Sequence, residues 1–202
     1  MLKAIIFDFD GVIADTFDLC FGINREQKVD ITVRKYKDLL DGNVFAGSEL
    51  TFSKKEIEYF CMNYNSRISD KYSFPLENQI KKLAKKYELS VISSSPEKGI
   101  EKFMKMAGIS KCFRRIFGME THKSKVEKFK LLFREHNLKP KECIFVTDSL
   151  GDIREAKKVG VPTIAVTWGY HGKTRLKKGK PNVMIHDFGE LMNAVKKIKN
   201  NL

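Results

Sequence analysis

Two carboxylates two residues apart, Asp8 and Asp10, follow the apolar run Ala4-Ile5-Ile6-Phe7 and precede a glycine, Gly11. On an extended chain the side-chain period of two puts both on one side. Like charges at one spot are costly unless a cation lies between or beside them. The pair therefore points to a bound metal or to phosphate chemistry. Three more sets carry related chemistry: Ser93-Ser94-Ser95 at the end of an apolar run, Lys123 and Lys125 near a helix start, and Thr147-Asp148-Ser149-Leu150-Gly151-Asp152 after another apolar run. Acids suit Mg²⁺, a hydroxyl beside a helix N-terminus suits phosphate oxygens, and a lysine supplies positive charge. Phosphoryl transfer requires those parts.

Short apolar runs alternate with amphipathic stretches, a pattern that implies an α/β fold with a Rossmann-like parallel sheet flanked by helices. Strands are expected at Ala4–Phe9, Leu89–Ser93, Ile144–Thr147 and Thr163–Thr167, with weaker ones at Arg115–Phe117 and Val183–Ile185. Helices are expected at Leu76–Tyr87, Glu97–Met106, Lys125–His136, Ile153–Val159 and Phe188–Ile198. Ser94-Ser95 read as caps before Pro96, and Gly108 and Gly160 as helix-ending residues. Residues 16–74 differ. They hold no convincing strand and read as helices Phe17–Glu26, Thr32–Leu40 and Lys54–Ser69, punctuated by Gly42 and Gly47. The expected organisation is a core of residues 1–15 and 75–202 with a helical cap, 16–74, inserted in it. In a parallel sheet the strands' carboxyl ends share one edge, where ligands bind. That edge gathers all four chemical sets.

At these residues the chain resembles the haloacid dehalogenase-like (HAD) hydrolases, in the subfamily with a helical cap related to phosphoglycolate phosphatase and β-phosphoglucomutase. Asp8-Phe9-Asp10-Gly11-Val12-Ile13-Ala14-Asp15-Thr16 matches the family's first motif, and Ser93 its second. Lys123 or Lys125 is the third, 25 or 23 residues before Asp148, and Asp148-Ser149-Leu150-Gly151-Asp152 is the fourth. The resemblance implies that Asp8 is the nucleophile, forming an aspartyl-phosphate, and that Asp10 is the general acid and then the base. It implies Mg²⁺ held by the Asp8 carboxylate, the Asp10 backbone carbonyl and Asp148, with Asp152 one step removed. Ser93, the Ser94 amide and one of the two lysines, with Lys125 slightly preferred, would grip the phosphate's non-bridging oxygens. Family dehalogenases lack the second aspartate, so Asp10 favours phosphate over carbon–halogen chemistry. Asp15 and Thr16 read as the hinge and cap of the first inserted helix.

A cap of about sixty residues favours a small phosphorylated metabolite, with Arg25, Arg34, Lys37, Asn43 and Ser48 as candidate polar contacts. A phosphatase like those acting on phosphoglycolate is expected. A β-phosphoglucomutase-like mutase and a nucleotide or nucleic-acid phosphatase are the alternatives.

The net charge of +13 raises nucleic acid as a partner, but the lysines spread over helix faces, and the densest run, Arg175–Lys180, has no interleaved aromatics. A solvated basic surface is favoured. No apolar stretch approaches the roughly 18–20 residues of a membrane span. The first apolar run breaks on Asp8 and Asp10 and does not read as a leader, so a cytoplasmic protein is expected. Cys20, Cys61, Cys112 and Cys143 lack metal or disulfide spacing and read as free thiols. His122, His136, His171 and His186 read as loop or surface residues, with His171 packing against the cap.

Overall fold

Ile5, Ile6 and Phe7 are β-branched or aromatic and wholly buried, which is what a strand covered on both faces requires. The computed structural model describes residues 1–45 and 52–201. Strand β1 (Ala4–Phe7) leads into α1 (Phe17–Gln27), α2 (Val33–Leu39) and α3 (Lys54–Arg67), then α4 (Glu77–Ala84) and β2 (Glu88–Ile92). There follow α5 (Glu97–Met106), β3 (Arg115–Phe117), α6 (Lys125–His136), β4 (Cys143–Thr147) and α7 (Leu150–Lys158). The chain closes with β5 (Thr163–Val166), α8 (Lys173–Lys177), β6 (Val183–Ile185) and α9 (Leu191–Lys199). The expected Gly47 and Ser48 lie outside the described residues.

The strands form one parallel sheet in the order β3-β2-β1-β4-β5-β6. Alternate residues of β1 enter opposite layers. Ile5 and Phe7 pack with Ile100, Phe103 and Leu191 from α5 and α9. Ala4 and Ile6 pack with Phe129, Leu132 and Ala156 from α6 and α7. Each buried Ile, Leu or Phe among them contributes on the order of 2 kcal/mol. The fold is therefore helix, sheet, helix, as the sequence pattern implies. The chain winds outward from β1 in both directions, so the strand order reverses beside it. A crevice opens there between the carboxyl ends of β1 and β4.

Expected and observed elements differ mainly at their ends. β1 stops at Phe7, not Phe9, because the Phe9 carbonyl accepts the N–H groups of Val12, Ile13 and Ala14 at 3.3, 2.9 and 3.1 Å and closes a tight turn. Gly11 takes φ +74° within it, a conformation glycine adopts without strain. α8 overlaps the basic run and was not foreseen. Gly108 and Gly160 do take positive φ at their helix ends, 66° and 74°.

The helices of residues 17–67 join the sheet through a short paired stem. Asp15 N–H donates to the Tyr72 carbonyl at 2.7 Å and Phe74 N–H to that of Ile13 at 3.3 Å, so the outgoing and returning chains lie side by side. α3 rests on α5, where Tyr64 packs against Gly99. Lys102 of α5 donates to the carbonyls of Asn65 and Ser66 at 3.1 and 2.9 Å. The C-terminal end of α2 meets the sheet edge from the other side. Gly151 N–H donates to the Leu40 carbonyl at 2.8 Å, and Arg154 to that of Asp41 at 2.6 Å. His171, expected to pack against the inserted helices, is buried there and bridges two backbones. Its Nδ1 accepts from Leu150 N–H at 3.0 Å and its Nε2 donates to the Lys37 carbonyl at 2.8 Å. Burial holds its pKa below the usual value despite that second bond, and the Arg175 charge adds to the effect. His136, by contrast with its expected surface role, has a buried side chain paired with Glu88. Among the described residues no helix is long and apolar enough to cross a membrane.

Candidate active site

Asp8 is the first residue beyond β1 and Asp148 the first beyond β4, so each stands at one lip of the crevice. Asp8 is 7% exposed. Its Oδ1 accepts the Phe9 N–H at 2.8 Å, and its Oδ2 lies 2.9 Å from the Lys125 ammonium. The same ammonium is 2.6 Å from Asp152 Oδ2, which also accepts the Thr147 hydroxyl at 2.7 Å. Lys125 opens α6, whose first turn has no side-chain cap of its own. Glu155 of α7 supplies one, accepting the Lys125 N–H at 3.1 Å and the Ser124 hydroxyl at 3.3 Å. A carboxylate at a helix N-terminus is favoured by the helix dipole, and here it fixes the residue whose side chain reaches Asp8. Lys123 does not reach the crevice. It is exposed, with its ammonium 5.7 Å from the centre of the Phe45 ring.

Asp148 is held in a narrow seat. Its Oδ2 accepts the Tyr170 N–H at 2.6 Å. A Cβ on Gly11 or on Gly169 would overlap that same oxygen, so both positions must be free of side chains. Asp10 lies in the turn, not on the strand, and its carboxylate is ringed by hydroxyls. Oδ1 accepts from Thr16 at 2.7 Å and Tyr64 at 2.8 Å; Oδ2 accepts from Ser95 at 2.6 Å and Ser93 at 3.4 Å. Because Thr16 gives its proton to Asp10, the Tyr170 hydroxyl 3.1 Å away donates to Thr16 in turn.

Thr16 and Ser95 thus serve Asp10, not the helix ends at which they were expected to act as caps. The N-cap position of α1 is Thr16 and that of α5 is Pro96, and neither makes a side-chain cap bond. Ser93 is wholly buried, its hydroxyl also accepting the Ser95 N–H at 3.0 Å. Ser94 and Ser95, not Ser93, line the cavity. Tyr64, Glu155 and Lys128 escaped sequence reading. Tyr64 and Glu155 sit at ordinary helix positions with no local signal. Lys128, one turn beyond Lys125, is fully buried and donates to the Ser93 carbonyl. Burial pulls its pKa down to about 7, aided by the Lys125 charge.

Asp8, Asp10, Ser94, Ser95, Lys125, Asp148 and Asp152 all border one cavity of about 110 Å³. Asp8, Asp148 and Asp152 bring three buried carboxylates against one ammonium. Burial raises Asp8 well above the usual carboxylate range; Lys125 opposes the rise, while Asp152 and Asp148 add to it. Asp148 is pushed up to about 7 by burial, despite the Tyr170 N–H. Burial pushes Asp152 up, but the Lys125 charge together with its hydrogen bonds from Asp8, Lys125 and Thr147 brings it below the usual carboxylate value. Lys125 is itself held above the usual lysine value, since Asp152 and Asp8 overcome its burial. The excess negative charge suits a divalent cation. Among the described residues no three His, Cys, Asp or Glu side chains close around an ion by themselves.

A family model described as haloacid dehalogenase-like hydrolase matches residues 5–166. A protein of Caldanaerobacter subterraneus subsp. tengcongensis named as a candidate pyrophosphatase, PpaX, is 29% identical over 214 residues, covering 96% of this chain and 95% of its own. A protein of Vibrio vulnificus named phosphoglycolate phosphatase is 23% identical over 220 residues, covering 96% of each. Among solved structures, a β-phosphoglucomutase from Clostridium difficile superposes with a TM-score of 0.76 at 21% identity, over 100% of this chain and 98% of that one. At that identity the likeness speaks for the fold.

Proposed function

The chain belongs to the haloacid dehalogenase-like hydrolase family and is a phosphoric monoester hydrolase, and we propose that it acts on a small phosphomonoester through an aspartyl-phosphate on Asp8. The observation that carries this reading is the Asp8 carboxylate, buried at the mouth of the sheet with Lys125 at 2.9 Å and Asp10 on the same cavity. The Asp8 oxygen attacks phosphorus while Lys125 and the Ser94 amide draw charge from the non-bridging oxygens. Asp10 protonates the departing alkoxide and then takes a proton from the water that cleaves the acyl phosphate. Its ring of hydroxyls fixes the carboxylate for both steps. Mg²⁺, held by the Asp8 carboxylate, the Asp10 carbonyl and Asp148, would neutralise charge on the transferring group; Asp152 orients Lys125.

The helices of residues 16–74 act in this reading as a cap that excludes water from the crevice. Four free cysteines fit a reducing, cytoplasmic setting. The test is release of inorganic phosphate from p-nitrophenyl phosphate with Mg²⁺, compared with Asp8→Asn. Turnover in the wild type and none in a folded variant supports the assignment; equal turnover in both would remove Asp8 as nucleophile. Phosphate that appears only as an ester of a second sugar hydroxyl would mean a mutase.

A further inference from the structure

The wall of the cavity facing Asp8 is built of carbon. Leu39, Phe45, Phe52, Ile57 and Phe60, all from the helical insertion, line it. Its polar groups are Asn24, Tyr36 and Glu56, and the two nearest ammonium groups lie behind it, outside the lining: Lys28 pairs with Glu56 at 2.8 Å and sits 5.4 Å from the centre of the Phe52 ring, and Lys123 sits 5.7 Å from that of Phe45. Glu56 is fixed as a carboxylate: its hydrogen bond from Lys28, together with the Ser53 backbone, lowers its pKa to about 2. Among the described lining residues Lys125 alone carries positive charge, and Asp8 and Asp152 already hold it. The basic residues expected to contact substrate lie elsewhere. Arg25 and Arg34 are exposed, and the Lys37 ammonium sits 4.7 Å from the centre of the Phe17 ring. None of these, nor Asn43, borders the cavity.

An anion moved from water to such a wall without a cation loses its hydration and gains nothing in return, whereas an apolar group gains from the same transfer. We propose that the leaving group of the substrate is uncharged and presents an apolar face, so that the enzyme takes the monophosphate of a neutral, partly hydrophobic alcohol. This rests on the phosphatase reading above and narrows it. It separates the chain from relatives named for phosphoglycolate and pyrophosphate, whose leaving groups carry charge of their own.

The test compares kcat/KM with Mg²⁺ for benzyl phosphate, 2-phosphoglycolamide, 2-phosphoglycolate and pyrophosphate. The amide and the acid differ in charge at almost constant size. Benzyl phosphate should lead, the amide should follow, and the two charged substrates should trail benzyl phosphate by at least about 100-fold. Phosphoglycolate or pyrophosphate matching benzyl phosphate overturns the proposal while leaving the hydrolase reading standing. Failure to release phosphate from any of them, or from p-nitrophenyl phosphate, overturns both. As a second arm, Ile57→Arg should raise kcat/KM for phosphoglycolate about tenfold with no gain for benzyl phosphate. A rise for neither, in a folded variant, counts against this wall as the leaving-group site.

Discussion

Asp10 accepts hydrogen bonds from residues 6, 54, 83 and 85 positions away in sequence, and such a ring fixes an acid/base group more firmly than packing alone. In the proposed mechanism Asp10→Asn removes the acid/base while Asp8 and Lys125 stay in place. Acid-quenched samples given labelled substrate should show phosphoenzyme that forms slowly and decays about 100-fold or more below the wild-type rate. Undiminished hydrolysis would contradict its role. Lys128 supports a pH prediction. Its native pKa is about 7, against roughly 10.4 in the unfolded chain. Between those values the unfolded chain holds the proton and the native one does not, so this residue makes stability rise with pH. Relative to Lys128→Met, the wild type should gain roughly 1 kcal/mol per pH unit from pH 7.5 to 9.5, measured by urea unfolding. A constant difference would mean that the amine stays charged. The positions of Asp8, Asp10 and Asp148 at the sheet edge were legible because each set follows an apolar run that reads as a strand. Ser95 and Thr16 were read as caps because serine and threonine before a helix usually are. The distant carboxylate that claims their hydroxyls has no local trace.

At the scale of elements, the sheet was the most legible part, since Val, Ile and Phe runs buried on both faces leave little ambiguity. The ends were harder. α7 starts at Leu150 rather than at the expected Ile153, because Ser149 accepts the Asp152 N–H at 3.2 Å and draws a glycine into the first turn. Gly151 is tolerated there for a reason outside the helix: a Cβ would overlap the carbonyls of Gly42 and Leu40 from the helical insertion. Gly151→Ala should therefore leave the sheet folded, by far-ultraviolet circular dichroism, while lowering kcat/KM by tenfold or more as the insertion is pushed off the crevice. Activity at the wild-type level would show that the close approach is dispensable. Capping of α6 by Glu155 likewise crosses between elements. Glu155→Ala should cost about 1 kcal/mol of stability and also reduce turnover, because Lys125 loses the bond that seats its backbone. Lost stability with intact turnover would separate the cap from the site.

Over the whole molecule the net charge is +13, yet the crevice itself is rich in acids. The basic residues lie mostly on outer helix faces, where they attract phosphate dianions at long range without touching them. Raising salt from about 20 to about 300 mM should lower kcat/KM several-fold and leave kcat nearly constant. A parallel fall in kcat would place the effect in the site itself. Part of the basic run proves structural: Arg175 of α8 pairs with Asp38 and with Asp41, at the end of α2. That role could not be read from a run of like charges, because the partner acids lie some 135 residues upstream.

The fastening at the end of α2 is made largely by main-chain oxygens, those of Lys37, Leu40 and Asp41, which receive His171, Gly151 and Arg154. Carbonyls at and just past a helix's C-terminus carry its partial negative charge, and main-chain bonds to them persist whatever side chains the residues bear. The helical insertion can therefore exchange its inner lining, residue by residue, without coming loose. A new chemical preference could arise here without rebuilding the clasp.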